Sequence, residues 1–178
     1  MPFVKEGDES NPEILSLYKE INDELKIGKI PNILKTTSID PQIARWFWDG
    51  VKIILLRESS IPRILKESIA LVVSNANSCE YCTKAHGMLL QLMGFTEEKI
   101  NDLKGSFESF SDKEKSALNY ALKINDPENK ITSDDHKILK DSGYDDKQVV
   151  EITAVVAAFN WANVIADALG TEIENPDC

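Results

Sequence analysis

The sequence predicts an all-α protein, a single-domain helical bundle spanning residues 1–178. Two observations carry that expectation. Apolar residues recur at three- and four-residue spacing in one segment after another, and helix-starting signals punctuate them, as at Asp40-Pro41 and at Ser111 with Glu114. The alternating Val, Ile and Thr runs and Asn-Gly turns that announce strands are missing. A chain of this length buries about 70% of its unfolded surface, enough for one core without covalent staples.

Taken in order, Pro12 to Leu25 is the first and weakest helical stretch, and Lys29 to Thr37 reads as a loop. Asp40 then caps a helix whose first residue is Pro41, where the missing amide costs nothing. Ile43, Trp46, Phe47, Val51, Ile54 and Leu55 are its expected buried face. Ser60-Ile61-Pro62 opens a helix that is apolar nearly all round and should sit centrally. Ser78 is the expected N-cap of a helix from Cys79 to about Met93, stopped by Gly94.

Thr96 starts a short helix with Glu97 and Glu98 in its first turn, where the macrodipole favours acids. Ser111 and Glu114 form a capping box ahead of Ala117, Leu118, Ala121, Leu122 and Ile124. Thr132 to Ser142 is a further short helix, and Asp145 begins a last long one that runs to Leu169. A faint echo relates Glu67–Val73 to Glu151–Val156, the trace a weak internal duplication would leave.

Composition narrows the function. Twenty basic against thirty acidic residues leave a net charge of -10, which repels nucleic-acid backbones and anionic membrane surfaces alike. The uncharged run from Ile152 to Ala166 falls short of the roughly 20 residues that span a bilayer. Met1 to Glu6 turns acidic at once and carries no apolar signal segment, so a cytoplasmic location is expected. Three cysteines, two of them tightly paired, do not make a secreted disulfide framework. The cluster Trp46-Phe47-Trp48 cannot turn all three rings toward one core, so part of it is expected at an interface between subunits.

The chemistry concentrates in Glu67, Cys79, Cys82 and His86, the pattern E-x11-C-x2-C-x3-H within residues 60–95. Positions 79, 82 and 86 share one helical stripe. Both thiols fall at the start of a helix, where free amides and the dipole stabilise a thiolate. His86, one turn past Cys82, can exchange its proton. Glu67 sits in an apolar helix, where an acid needs a hydrogen-bonded role. Zinc is an alternative, with Glu67 as fourth ligand, but a second ligand pair is missing and His136 is the only other histidine. Haem attachment needs histidine where Thr83 stands, and a thioredoxin-type site needs a preceding strand. Two core cysteines and a satisfied core histidine remain the plain reading of each residue alone. Cys178 is expected to be incidental. No metal or bound cofactor is expected.

The run Glu67 to Gly94 resembles the core motif of the alkylhydroperoxidase D-like (AhpD-like) branch of the carboxymuconolactone decarboxylase family. Pro31-Asn32-Ile33-Leu34 and Phe159-Asn160-Trp161-Ala162-Asn163 resemble flanks of its peroxidase-related members. The resemblance implies a helical fold, homo-oligomers such as trimers or hexamers, and peroxide reduction by a cysteine pair. It implies an external dithiol donor such as a lipoyl group. Carried over, Cys82 is the peroxidatic thiol, Cys79 resolves it to a disulfide, and His86 and Glu67 relay protons through a water. The family pattern places a histidine just before the second cysteine, where this chain has Tyr81. A phenol with pKa near 10 cannot shuttle protons at neutral pH, though it can donate a hydrogen bond. Two other readings stand beside the peroxidase: a decarboxylase-type lyase, whose members generally lack the cysteine pair, and a non-enzymatic redox sensor or adaptor.

Overall fold

Ten consecutive residues, Leu65 to Ser74, are buried on one helix, and the rest of the fold is arranged around it. The computed structural model describes residues 1–174, and among them it contains α-helices, one π-helical segment and no strand. In chain order these are α1 (Pro12–Leu25), α2 (Asn32–Thr37), α3 (Pro41–Val51), the π segment (Lys52–Leu56), α4 (Arg63–Ala76) and α5 (Glu80–Leu92). There follow α6 (Glu97–Leu103), α7 (Asp112–Asn125), α8 (Ser133–Asp141) and α9 (Asp146–Ala168). Central α4 packs against α5, α7 and α9, so each neighbour covers one of its apolar sides.

The helix starts follow from capping chemistry. Asn11 accepts from the Glu13 amide at 2.9 Å, and Asp40 accepts from the amides of Gln42 and Ile43. Ser111–Glu114 and Asp145–Gln148 close reciprocal capping boxes at α7 and α9. Gly94 and Gly170 follow α5 and α9 with positive φ, the left-handed exit that glycine takes without strain.

Three expectations need correction. Residues 32–37 are helical rather than loop, because Pro31 sets the chain for a first turn and Thr37 bonds back to the Ile33 carbonyl. Of the expected face, Phe47 and Leu55 are buried and Val51 and Ile54 pack against the core, whereas Ile43 and Trp46 point outward and Ala44 and Trp48 are buried in their place, because the helix is apolar on two stripes and the core takes only one. Ser78 does not cap α5: with φ of 59° it makes the left-handed turn out of α4, and Cys79 takes the cap position.

The length and composition of α9 would suffice to cross a membrane, yet half of its apolar window is buried against the bundle. A core helix has that signature. The two echoing glutamates do different work, since Glu151 accepts from the Ser60 hydroxyl and the Ile61 amide ahead of α4.

Candidate active site: a buried dithiol beside a histidine–carboxylate pair

The connection from α4 to α5 is only Asn77, Ser78 and Cys79, and this tight turn delivers both cysteines to the start of α5. The Cys79 amide donates to the Ser74 carbonyl at 2.9 Å, which pins the turn to α4. Cys79 is the N-cap residue and Cys82 lies in the first turn. Both are free thiols, 0% and 3% exposed.

The two thiols act on each other's ionisation. The Cys79 thiol is lowered, chiefly because Cys82 donates to it, with the Cys82 amide adding a smaller share against the cost of burial. Cys82 is raised by that same bond, by burial and by the neighbouring charge, while Asn163 pulls it down. Asp167 on α9 raises both. The family resemblance assigns the attacking thiol to Cys82, and of the two thiols Cys79 is the one whose pKa is lowered.

Glu67 and His86 meet across the α4–α5 interface, His86 Nδ1 to Glu67 Oε2 at 2.7 Å. Glu67 is 0% exposed. Its burial pushes its pKa up, but the hydrogen bond and charge of His86, with the Arg63 guanidinium, outweigh that and hold it below the usual carboxylate range. Arg63 Nε donates to Glu67 Oε1 at 3.2 Å, so each carboxylate oxygen has a donor. The Phe159 ring packs edge-on to the His86 ring at 4.6 Å and fixes its plane. With Nδ1 turned to the carboxylate, Nε2 is the nitrogen left to exchange a proton.

Tyr81 is tied down rather than poised for proton transfer. Its hydroxyl donates to Glu174 Oε1 at 2.8 Å and accepts from the Ile33 amide at 3.2 Å. Burial beside the Glu174 carboxylate pushes its pKa well above that of a free phenol. Glu174 also accepts from the Asn32 amide at 2.7 Å, so this cluster joins α2, α5 and the segment after α9.

All four sequence-predicted residues therefore lie on the α4–α5 hairpin, as two contacting pairs one helical turn apart. Among the described residues no group of three or more His, Cys, Asp or Glu side chains is placed to hold a metal ion, and Glu67 is turned toward His86 and Arg63. His136 bonds to Tyr120 at 3.0 Å instead. Cys178 lies outside the described residues. A groove of about 570 Å³ between α1 and α3 shares no residue with the dithiol.

Sequence reasoning missed Arg63, Asn77 and Asn163. Arg63 was visible as an i,i+4 partner of Glu67. Asn163 was read as part of a flank that resembles the family and given no role, although an amide inside an apolar helix is itself a signal.

Comparison with known proteins places this geometry. The profile of the carboxymuconolactone decarboxylase family matches residues 41–123, which include all four site residues. The chain is 30% identical over 131 residues to uncharacterized protein YdfG of Bacillus subtilis (strain 168), covering 68% of this chain and 88% of that one. Among solved structures, an alkylhydroperoxidase AhpD core, peroxidase-related protein from Ralstonia eutropha JMP134 superposes with a TM-score of 0.89 at 22% identity, over 98% and 93% of the two chains. A peroxidase-related protein from Silicibacter sp. TM1040 gives 0.86 at 24% identity, over 96% and 89%. The debrominase Bmp8 in complex with 2,3,4-tribromopyrrole gives 0.79 at 22% identity, over 96% and 91%. The fold is thus the AhpD-like helical fold, and the chain belongs to the carboxymuconolactone decarboxylase family.

Proposed function

We propose that this protein is a thiol peroxidase that reduces hydroperoxides at the Cys79–Cys82 dithiol. The observation that carries the proposal is the pair of buried free thiols at the start of α5, one turn from the buried His86–Glu67 pair. Cys79, the thiol of lowered pKa, ionises first. Transfer of the Cys82 proton across the S–H···S bond moves the charge to Cys82, which attacks the terminal peroxide oxygen. The S–O bond forms as the O–O bond breaks, and the leaving alkoxide or hydroxide takes a proton from His86, held by Glu67, directly or through a water. Cys79, now a thiol, displaces water from the Cys82 sulfenic acid and closes the disulfide. An external dithiol such as a lipoyl group returns the two electrons by thiol–disulfide exchange. No metal or bound cofactor enters these steps.

We further propose that the protein works as a homo-oligomer, a trimer or hexamer, in the reducing cytoplasm. Trp46 is 58% exposed, its ring set edge-on to that of Trp161 with the ring centres 4.2 Å apart. Ile43 and Ile53 extend its stripe, and Val150, Ala157 and Val164 line the outer side of α9. Contiguous apolar surface of this kind is what subunit interfaces cover. The test of the catalytic reading is peroxide consumption by the purified protein with a dithiol donor. Turnover supports it. A disulfide that forms but is not cycled points to the redox sensor, and an inert pair to the lyase.

A further inference from the structure

Five buried or half-buried polar side chains run from the end of α7 to the dithiol, and their hydrogen bonds have a fixed direction. The Val156 carbonyl can only accept. Asn160 therefore turns its Nδ2 to it at 3.1 Å and presents Oδ1 to Asn77. Asn77 must answer with its own Nδ2, which reaches Asn160 Oδ1 at 3.2 Å and Asn163 Oδ1 at 2.9 Å. With its oxygen so committed, Asn163 faces its NH2 group the other way. One N–H donates to Ser74 Oγ at 2.9 Å, the residue whose carbonyl accepts from the Cys79 amide, so the NH2 group faces the dithiol, and Asn163 pulls the Cys82 pKa down.

The far end shows what this polarity costs. Asn125 must donate Nδ2 to Asn77 Oδ1 at 2.7 Å, and its own Oδ1 is left buried without a partner among the described residues. Unpaired buried oxygens are rare and call for a reason. Here the direction imposed at Val156 supplies it.

We infer that Asn163 is a catalytic residue of the dithiol, presenting a carboxamide N–H to the Cys82 sulfur in an orientation set by the asparagine relay. The role rests on the proposed chemistry at Cys82. An N–H donor there stabilises the anionic sulfur that attacks peroxide, and it makes movement of the charge from Cys79 to Cys82 less costly. The titratable groups around Cys82 include Cys79 from the helix cap and Asp167 from α9, both of which oppose ionisation, and Tyr81 beside it on α5, which feels the Cys82 charge. Asn163 is the one counterweight from α9. It touches the sulfur itself, unlike Asn77, which acts by holding Asn163.

The test isolates Cys82 in a Cys79→Ser background and follows iodoacetamide alkylation against pH, with melting curves on the same samples. Asn163→Ala should raise the midpoint by about one pH unit, which is about tenfold slower alkylation at a fixed pH below it. Asn163→Asp, nearly isosteric but with a charge in place of the donor, should raise it further. Ser74→Ala removes a hydrogen bond from the same buried amide without touching sulfur, and should lower the melting temperature while leaving the midpoint unmoved. Equal shifts for Ser74→Ala and Asn163→Ala, or no shift in either Asn163 variant, would overturn the inference. Should neither Asn163 variant fold, Asn77→Ala must raise the midpoint in their place, and an unmoved midpoint there counts against the relay. A wild type that consumes no peroxide, together with shifted midpoints, sinks the peroxidase reading and leaves Asn163 as the residue that tunes this thiol.

Discussion

His86 Nδ1 lies 2.7 Å from Glu67 Oε2, a contact between helices α4 and α5 that no solvent reaches on the carboxylate side. A buried carboxylate held as an anion fixes the imidazole tautomer and ring orientation and stabilises the imidazolium form. Glu67 thus acts through His86.

Glu67→Gln should keep the fold and slow peroxide reduction by the roughly 10²–10⁴-fold attributed to general acid–base catalysis. His86→Asn should do likewise, and the double variant should be little worse than either, because the two residues act as a unit. Steady-state rates with parallel melting curves check this. A loss of activity that merely tracks the loss of melting temperature would assign the pair to packing alone.

Most of this site was legible before the structure. The motif spacing placed Cys79, Cys82 and His86 on one stripe, and the apolar surroundings of Glu67 marked it as an acid with a partner. Two things were not legible. Sequence spacing treats both thiols at a helix start alike, whereas their pKa values are moved in opposite directions by their mutual interaction and by what packs around each. Ile43 and Trp46 were misread as core because they and Ala44-Phe47-Trp48 form adjoining apolar stripes on α3, and only tertiary packing decides which one turns inward. The short α2 escaped for a similar reason, since a six-residue helix has little periodicity to read and is held by contacts with α3 and α5.

Tyr81→Phe removes the donor to Glu174 and the acceptor of the Ile33 amide while keeping the ring. A loss of about 1–3 kcal/mol in urea unfolding is expected, because two buried partners lose their bond. The same variant should expose the segment after α9 to faster proteolysis. Unchanged stability would mean that the cluster is replaced by water at no cost.

Glu20 joins α1 to α3. It accepts from Lys52 and from Trp48 Nε1, pairs with Arg45, and has its pKa lowered to about 2, chiefly by Lys52 and then Arg45. Its folded-state value lies below the unfolded one, so its contribution is present above about pH 5 and lost as pH falls toward 2. A third of the side chain is exposed, so screening by water reduces that contribution to about 1–2 kcal/mol. Glu20→Gln should therefore be less stable than wild type at pH 7 and equal to it near pH 2. Urea titrations across that range test the sign, and a gap that widens on acidification would reverse the assignment.

Trp46→Glu should leave the fold intact, since the ring is largely outside the core, and should lower the molar mass measured by light scattering. A wild type that is monomeric at micromolar concentration would leave the exposed stripe of α3 and α9 without a subunit partner.

The most direct measurement is a peptide map of the reduced protein after one equivalent of hydroperoxide, with the remaining peroxide titrated. One peroxide consumed per chain and a single Cys79–Cys82 disulfide within the subunit is the predicted result, with Cys82→Ser abolishing the consumption. Peroxide left intact, or Cys178 joined to either cysteine as the main product, would contradict the account.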